Sequence, residues 1–292
     1  MEQGILISCL DVQDIFEGIR AAHEIGYRNV EISACPDDTR PNLVNISEAQ
    51  RQEARKLVDD LGMKISGLQC HIHNGYGDES ETVRNAAVEH TKRMLGLSAS
   101  IGVDLLHTVS GVAEDSAQHE EKMDRVAACY REILGEAGKD TLRVGMEPVF
   151  IYVIGNLAHT RSLYEKISGL PLYINYDPGH FPYHDESPLP FIGEYADKII
   201  HAHGKDSTVE DLAPGEEVNE AEHVFKMPDG KRKFRFVPPG QGLLDWDEIY
   251  PALQKAGFDG VISLEMGHGY KGPGEIVARK GYEFFQARYG IM

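Results

Sequence analysis

The sequence predicts an α/β protein, a (β/α)8 barrel of the TIM type, and two observations support this fold class. The first is a junction that recurs along the chain, in which a helical stretch ends at a glycine and an apolar strand follows. Glycine just past a helix end adopts the left-handed conformation that closes the helix, so each junction marks the passage from helix to strand. The six junction glycines are Gly26, Gly62, Gly102, Gly138, Gly169 and Gly257. The first five are spaced 31 to 40 residues apart, the length of one βα unit.

The second observation is a set of four apolar runs that each end in a side chain able to bind a metal ion. The runs span residues 142–147, 172–177, 198–203 and 260–265. In a barrel of parallel strands all carboxyl ends open on one face, where the active site lies. We therefore expect the terminal side chains of these runs to meet, and they are Glu147, Asp177, His203 and Glu265.

Taken in order, the chain alternates eight strands with eight helices. The expected helices span about 11–25, 47–61, 80–100, 116–137, 156–168, 188–195, 245–256 and 273–288. The expected strands are 4–9, 28–33, 63–70 and 103–108, followed by four that end at Glu147, at Asp177, near His203 and at Glu265. Asp11 is the expected N-cap of the first helix, and Ser47 with Gln50 has the spacing of a capping box at the second.

This alternation predicts one domain over residues 1–292. An open doubly wound sheet is the alternative, but Ser8-Cys-Leu-Asp11 stands where its glycine-rich phosphate loop would follow the first strand. Residues 207–237, between strand 7 and helix 7, are too many for an ordinary βα loop. We interpret them as an insertion that reaches over the pocket or into a subunit contact.

Composition narrows the possible partners. The formal net charge of −18 argues against a nucleic-acid partner, and the basic cluster at 231–235 is interpreted as a solvated turn. The four cysteines are scattered, as expected for reduced thiols, and no run of about 18 apolar residues predicts a membrane span. The start of the chain does not have the pattern of a signal peptide. We expect a cytoplasmic homo-oligomer that binds a small molecule and neither nucleic acid nor membrane.

Further polar side chains are expected around the same mouth. The tight turn that follows Asp177 lets Asp177 and His180 face one pocket. His201 and His203 share one face of a strand, with His203 nearer the mouth and His201 in the core. Histidines at the ends of strands 3 and 4 and a lysine after strand 7 complete the rim. The rim residues are His71, His73, His107 and Lys205.

Several motifs together resemble the xylose isomerase-like TIM barrels of sugar and sugar-phosphate isomerases and epimerases. They are Glu147-Pro148, Asp177-Pro-Gly-His180, His201-Ala-His-Gly-Lys-Asp206, Pro239-Gly-Gln-Gly-Leu-Leu-Asp-Trp246 and Ile262-Ser-Leu-Glu265. The superfamily also holds inosose dehydratases and the endonuclease IV type of DNA-repair enzyme, which binds additional metals. The net charge of −18 weighs against DNA as a substrate here. The resemblance implies that Glu147, Asp177, His203 and Glu265 are metal ligands and that His180 lines the pocket.

The sequence departs from the ketose 3-epimerases of this group at two positions. Those enzymes carry a substrate-binding glutamate six residues after the first ligand, where this chain has Val153. They also carry an arginine six residues after the strand-7 histidine, where this chain has Val209. These differences weigh against epimerisation of a free ketose at C3, but not against isomerase chemistry in general.

The expected function is therefore a metal-dependent sugar or sugar-phosphate isomerase or epimerase that abstracts a proton next to a carbonyl through a metal-stabilised enediolate. Glu147 and Glu265 are the expected catalytic base and acid. His71, His107, His180 and Lys205 are the expected substrate-binding residues. The expected cofactor is a divalent ion, Mn²⁺ ahead of Mg²⁺ or Co²⁺. A dehydratase or lyase acting on a keto-sugar or keto-cyclitol is the alternative, and a non-catalytic sugar-binding barrel is the third hypothesis.

Overall fold

Eight short parallel strands close into a barrel in the computed structural model, which describes residues 1–35, 41–112, 118–138, 142–220, 223–266 and 274–292. The barrel strands are β1 (Glu2–Leu6), β2 (Asn29–Ser33), β3 (Lys64–Cys70), β4 (Leu105–Val109), β5 (Arg143–Glu147), β6 (Leu172–Tyr176), β7 (Ile199–His203) and β11 (Val261–Leu264). Around the barrel they lie in the order β1-β11-β7-β6-β5-β4-β3-β2, so neighbours along the chain are neighbours in the sheet. The predicted (β/α)8 barrel is confirmed.

In the described part of the chain, eight α-helices surround the barrel and cover its outer surface. They are α1 (Ile15–Ile25), α2 (Glu48–Asp60), α3 (Glu81–Ser100), α4 (His119–Ala137), α5 (Leu157–Lys166), α6 (Leu189–Tyr195), α7 (Trp246–Lys255) and α8 (Gly274–Tyr289). Their buried faces form one apolar cluster mainly with the first five strands and a second cluster mainly with β6 and β7, and β11 contributes to both. Among the described residues no helix combines the length and the apolar character that a membrane span needs.

Helix boundaries follow the expected capping signals with two differences. Ser47 and Gln50 form the predicted capping box at α2. At α1, however, the N-cap is Asp14, whose Oδ1 accepts the Glu17 N–H at 2.8 Å, and Asp11 instead accepts the N–H of Gly274. Five of the six junction glycines have positive φ, whereas Gly138 stays in the right-handed region at −62°. Residues 116–117 and 273, where helices 4 and 8 were expected to begin, lie outside the described residues.

A small antiparallel sheet occupies the long segment after β7. Its strands are β8 (Asp206–Asp211), β9 (Val224–Lys226) and β10 (Arg232–Val237), in the order β8-β10-β9, and residues 221–222 lie outside the described residues. Phe234 of β10 packs with Met227 and Phe150 in a separate apolar cluster. The prediction of a solvated turn at 231–235 is wrong, because most of this stretch belongs to β10. The Arg232 side chain there binds the Asp185 and Asp229 carboxylates.

The Asp206 carboxylate joins the two ends of this segment. It accepts N–H groups from Ser207 (2.8 Å), Gly240 (3.1 Å), Gly242 (3.2 Å) and Leu244 (3.1 Å). Asp206 is fully buried, and four backbone donors satisfy its oxygens. The chain therefore leaves the barrel and returns to it at one fixed place.

Candidate metal centre

Four strand ends bring four potential ligands together at one mouth of the barrel. Glu147 and His203 are the last residues of β5 and β7, and Asp177 and Glu265 directly follow β6 and β11. Each offers one donor atom, and these four atoms all lie within 4.8 Å of one another. The sequence predicted this meeting from the strand ends alone, because parallel strands in a barrel share one carboxyl face.

The separations between donor atoms fit a divalent cation. The Nδ1 atom of His203 lies 3.5 Å from Glu147 Oε1, 3.5 Å from Asp177 Oδ2 and 3.3 Å from Glu265 Oε2. In a tetrahedral site such as zinc forms, ligand bonds of about 2.0–2.2 Å place the donor atoms roughly 3.3–3.6 Å apart. His203 Nδ1 is also buried without a hydrogen-bond partner among the described residues, as expected of an atom that donates its lone pair to an ion.

The second polar atom of each candidate ligand faces away from this centre and contacts an anchoring group. The four anchoring contacts are Asn175 Nδ2 to Glu147 Oε2 (3.1 Å), Gly179 N to Asp177 Oδ1 (2.8 Å), Gln69 Nε2 to Glu265 Oε1 (2.7 Å) and His203 Nε2 to Glu31 Oε2 (3.3 Å). Outer contacts of this kind orient ligands and are typical of built metal sites. The surrounding protein thus holds all four side chains in place.

Lys205 places a positive charge among the carboxylates. Its Nζ atom lies 2.6 Å from Asp177 Oδ2 and 2.5 Å from Glu265 Oε2, and 4.5 Å from the centre of the Phe236 ring. Burial lowers the pKa of Lys205, but the Asp177 and Glu265 carboxylates outweigh burial and hold that pKa above its ordinary value. Lys205 is therefore an ammonium ion that offsets part of the negative charge of the centre.

Both candidate catalytic glutamates are ionised in this environment. Burial raises the pKa of Glu147, but His203 and the hydrogen-bonding His180 together outweigh burial and bring the pKa to about 2. For Glu265, burial is likewise outweighed by Lys205 and His203, which hold its pKa well below the ordinary range. A carboxylate must be ionised to bind a cation or to accept a proton, so both residues are in the form that either role requires.

The expected substrate-binding histidines lie at different depths. His180 Nε2 lies 3.2 Å from Glu147 Oε1 and 3.3 Å from Asp177 Oδ2, and His71 Nε2 lies 3.6 Å from Glu147 Oε2. His107 is fully buried one layer below, since its strand neighbour is Gly145, two residues before Glu147. A substrate contact by His107 stays a prediction.

Two further histidines from the sequence analysis, His201 and His73, lie near the candidate site. As predicted, His201 is a hydrogen-bonded core residue, and its Nδ1 donates to Asn175 Oδ1 at 2.9 Å. His73 contacts the hydroxyl of Tyr152 through its Nδ1. Burial lowers the pKa of His201 to about 4, so this imidazole is neutral near pH 7.

The sequence interpretation missed the anchoring residues Glu31 and Gln69 and the aromatic wall formed by Phe236. Glu31 and Gln69 are polar side chains inside otherwise apolar strands, β2 and β3, and both are buried. A polar residue within a buried strand must find a partner, and this was the available signal. Phe236 carried no comparable signal, because an aromatic residue on a strand is ordinary.

Comparison with known proteins adds family information to this geometry. A model of the xylose isomerase-like TIM barrel family matches residues 19–288, a range that includes all four candidate ligands. An inosose dehydratase of Clostridium beijerinckii is 29% identical over 136 residues, which are 45% of this chain and 43% of that protein. The match thus spans less than half the length of this curated relative.

Two solved structures share the fold over almost their whole length. The apo form of 3-keto-D-glucoside 4-epimerase, YcjR, from E. coli has a TM-score of 0.73 at 17% identity, with 98% of this chain and 99% of that chain covered. The IOLI protein with a bound zinc atom has a TM-score of 0.75 at 18% identity, with 98% and 97% covered. At such low identity these likenesses establish the fold alone.

Proposed function

Because this chain belongs to the xylose isomerase-like TIM barrel family, we propose that it is a divalent-metal-dependent isomerase or epimerase acting on a small carbohydrate. The observation that carries the proposal is the cluster of Glu147, Asp177, His203 and Glu265, whose donor atoms lie within 4.8 Å of one another. The cluster combines a cation-binding donor set with two carboxylates able to move a proton. A non-catalytic sugar-binding barrel would need neither.

The donor set of three carboxylates and one imidazole suits Mn²⁺, with Mg²⁺ or Co²⁺ as further candidates. The zinc atom of the IOLI structure supports a divalent ion and adds Zn²⁺ to the candidates. A divalent ion held by these residues would act as a Lewis acid on a carbonyl oxygen of the substrate and lower the barrier to loss of the neighbouring C–H proton.

The protein's own residues would bind the substrate and transfer the proton. Glu147 and Glu265 come from strands that β6 and β7 separate in the barrel wall, so they approach the centre from different sides. One carboxylate would accept the carbon-bound proton, and the other would return a proton to the opposite face or to the neighbouring carbon. Lys205 and the mouth histidines His71 and His180 would hold the substrate hydroxyl groups.

Two valines favour isomerisation or dehydration over epimerisation of a free ketose at C3. Val153 is fully buried in the main apolar cluster, and Val209 lies on β8 next to the Phe150 cluster. Neither position offers the carboxylate or guanidinium that would bind ketose hydroxyl groups there. A substrate held mainly by the ion, Lys205 and the histidines fits this arrangement better.

The second candidate is a dehydratase acting on a keto-sugar or keto-cyclitol. The observation that favours it is that the curated relative from Clostridium beijerinckii is an inosose dehydratase. Both reactions begin with removal of a proton next to a carbonyl, so the same ligands and bases serve both. They differ in the next step, because a dehydratase releases a hydroxyl group from the adjacent carbon as water.

Solvent-exchange measurements test the proposal. The Mn²⁺-loaded protein is incubated in D₂O with a panel of aldo-sugars, keto-sugars and keto-cyclitols, and the products are analysed by mass spectrometry and NMR. We expect deuterium at the reacting carbon, because a carboxylate base exchanges its proton with water. Glu265→Gln should lower turnover by a factor of about 10² or more, since an amide cannot accept the proton.

Glu275→Gln is the matched control, because Glu275 lies on the exposed face of α8, where its carboxylate pairs with Arg279. A product that has lost one water molecule relative to the substrate would identify the reaction as a dehydration. Full activity in Glu265→Gln, or product without deuterium at slow turnover, would contradict proton abstraction by Glu265.

A further inference from the structure

Glu31 is a buried carboxylate that the proposed ligand set does not use. It is the central residue of β2, where all five residues are buried, and its own side chain is fully shielded from solvent. Burying a carboxylate is unfavourable unless a hydrogen-bond donor faces it. The donor here is His203, whose Nε2 lies 3.3 Å from Glu31 Oε2 across the interior of the barrel.

This contact determines where the imidazole proton lies. A carboxylate oxygen can only accept, so His203 Nε2 must carry the hydrogen. The other neighbour of Nε2 is Asn175 Nδ2 at 3.2 Å, an amide donor that bonds Glu147 Oε2 at 3.1 Å with one of its two hydrogens. The buried Glu31 carboxylate, which can only accept, therefore decides the position of the imidazole proton. With the proton on Nε2, the lone pair of a neutral His203 lies on Nδ1, the atom that faces the three carboxylates.

The rest of the Glu31 environment leaves His203 as its principal partner. Among the described residues, Glu31 Oε1 has no hydrogen-bond partner, and His107 Nε2 approaches it only to 3.8 Å. His107 and His201 pack against each other with ring centres 4.4 Å apart. His203 is therefore the residue that hydrogen-bonds Glu31, while His107 and His201 lie close enough to share its charge.

We propose that Glu31 is a positioning residue that fixes the tautomer of His203 and thereby increases the affinity of the centre for a divalent cation. The proposal rests on the metal centre of the proposed function. A carboxylate that accepts the second N–H of a ligating histidine locks the ring orientation and raises the basicity of the ligating nitrogen. Loss of such a partner typically weakens metal binding by about 10–100-fold.

Metal affinity of Glu31→Gln tests the proposal without any enzyme assay. The metal-free protein is titrated with Co²⁺ in the presence of a competing chelator, and the visible absorption of bound Co²⁺ is recorded. We expect the Kd to rise by about 10–100-fold and the Co²⁺ bands to shift, because the imidazole loses its anionic partner. Circular dichroism verifies that the variant is folded.

Glu2→Gln is the matched control. Glu2 begins β1 at the opposite end of the barrel, where Lys64 and Asn29 bind its carboxylate. The chemical change is the same, and the Kd for Co²⁺ should stay within about twofold of wild type, since the altered group contacts no candidate ligand. If removal of any barrel carboxylate weakened metal binding, the Kd for Co²⁺ would rise equally in Glu31→Gln and Glu2→Gln, and this result would contradict a specific role for Glu31.

A second measurement uses the unmodified sequence and does not depend on the folding of a variant. In protein labelled with ¹⁵N-histidine and loaded with Zn²⁺, the His203 signals should show a proton on Nε2 and the metal on Nδ1. The opposite assignment, or an unchanged Kd in Glu31→Gln, would overturn the role of Glu31 and leave the proposed function standing. Absence of metal binding in the wild type would overturn both.

Discussion

The Lys205 ammonium supplies much of the positive charge that balances the carboxylates of the metal-free centre. Its Nζ lies between Asp177 and Glu265, and the whole group is almost shielded from solvent. Removing one partner of a buried ion pair leaves an uncompensated charge, and this typically costs about 3–5 kcal/mol. A divalent ion among the same carboxylates would supply positive charge in its place.

Lys205→Met should therefore lower the free energy of unfolding by about 3–5 kcal/mol in EDTA and by clearly less in saturating Mn²⁺. Urea unfolding under both conditions measures the two differences. Lys198→Met, at the other end of β7, removes only the exposed pair with Asp197 and should cost less than about 1 kcal/mol. An equal loss with and without Mn²⁺ would contradict this account of Lys205.

At the same scale, the sequence could predict the candidate ligands but not the residues that hold them. The positions of Glu147, Asp177, His203 and Glu265 follow from one local rule, that strand ends share a face. The anchoring contacts cross the barrel and join residues far apart in the chain, with separations of 172 residues for Glu31 with His203 and 196 for Gln69 with Glu265. No local pattern specifies such a pairing.

Among the elements, β10 brings an aromatic wall to the candidate site. Phe236 covers the Lys205 ammonium at 4.5 Å and meets the His180 ring edge-on at 5.1 Å. We propose that residues 207–237 are an insertion in a single-domain barrel and that this insertion forms one side of the pocket. Its remaining aromatic residues, such as Phe225, pack on Phe150.

Phe236→Ala should lower kcat/KM by about tenfold or more, because Lys205 and His180 lose the aromatic surface that holds them in position. The stability of the barrel should change little. A cation–aromatic contact of this kind is worth about 0.5–2 kcal/mol. Phe225→Ala is the control, since it removes the same side chain from the same sheet while its ring packs on Phe150. Steady-state kinetics of both variants decide the matter, and equal losses would contradict a specific role for Phe236.

The secondary-structure elements were predictable where capping and periodicity are local. The capping box at Ser47 identified the start of α2 correctly. At α1 the sequence offered two aspartates, and the N-cap is Asp14, which directly precedes the first helical residue, rather than the predicted Asp11. The unusual length of the segment after β7 was evident from the sequence, but its sheet was not. The pairing of β8 with β10 joins Asp211 to Arg232 across a long connection, which residue spacing alone does not reveal.

For the whole molecule, the candidate ligands link four neighbouring strands of one barrel. Glu147, Asp177, His203 and Glu265 belong to or follow β5, β6, β7 and β11, which are consecutive in the sheet. An ion that binds only the folded barrel must stabilise it by mass action. At 100 times the Kd this amounts to about 2.7 kcal/mol.

Mn²⁺ at that concentration should therefore raise the Tm of the EDTA-treated protein by roughly 4–5 °C. Differential scanning calorimetry measures the shift. Asp177→Asn should abolish most of it, because one carboxylate ligand becomes a neutral amide. An identical Tm in EDTA and in Mn²⁺ would contradict a metal centre that spans these strands.

The fold was predictable because each repeat unit has its own signal within a short stretch of sequence. Each helix–glycine–strand junction reports one βα unit, and the barrel then places successive units side by side, so the strand order follows the chain. The homo-oligomeric assembly stays a prediction, since it depends on surfaces that no repeat in the sequence encodes.

The carboxylate of Asp206 fixes both ends of the small antiparallel sheet. It accepts backbone N–H groups on both sides of residues 208–239, at Ser207 and at Gly240, Gly242 and Leu244, so both attachment points are held at one place. The entropic cost of closing a loop grows only slowly with its length. A hairpin of another size or lining could thus be grafted between residues 208 and 239, giving a different pocket wall over an unchanged set of candidate ligands.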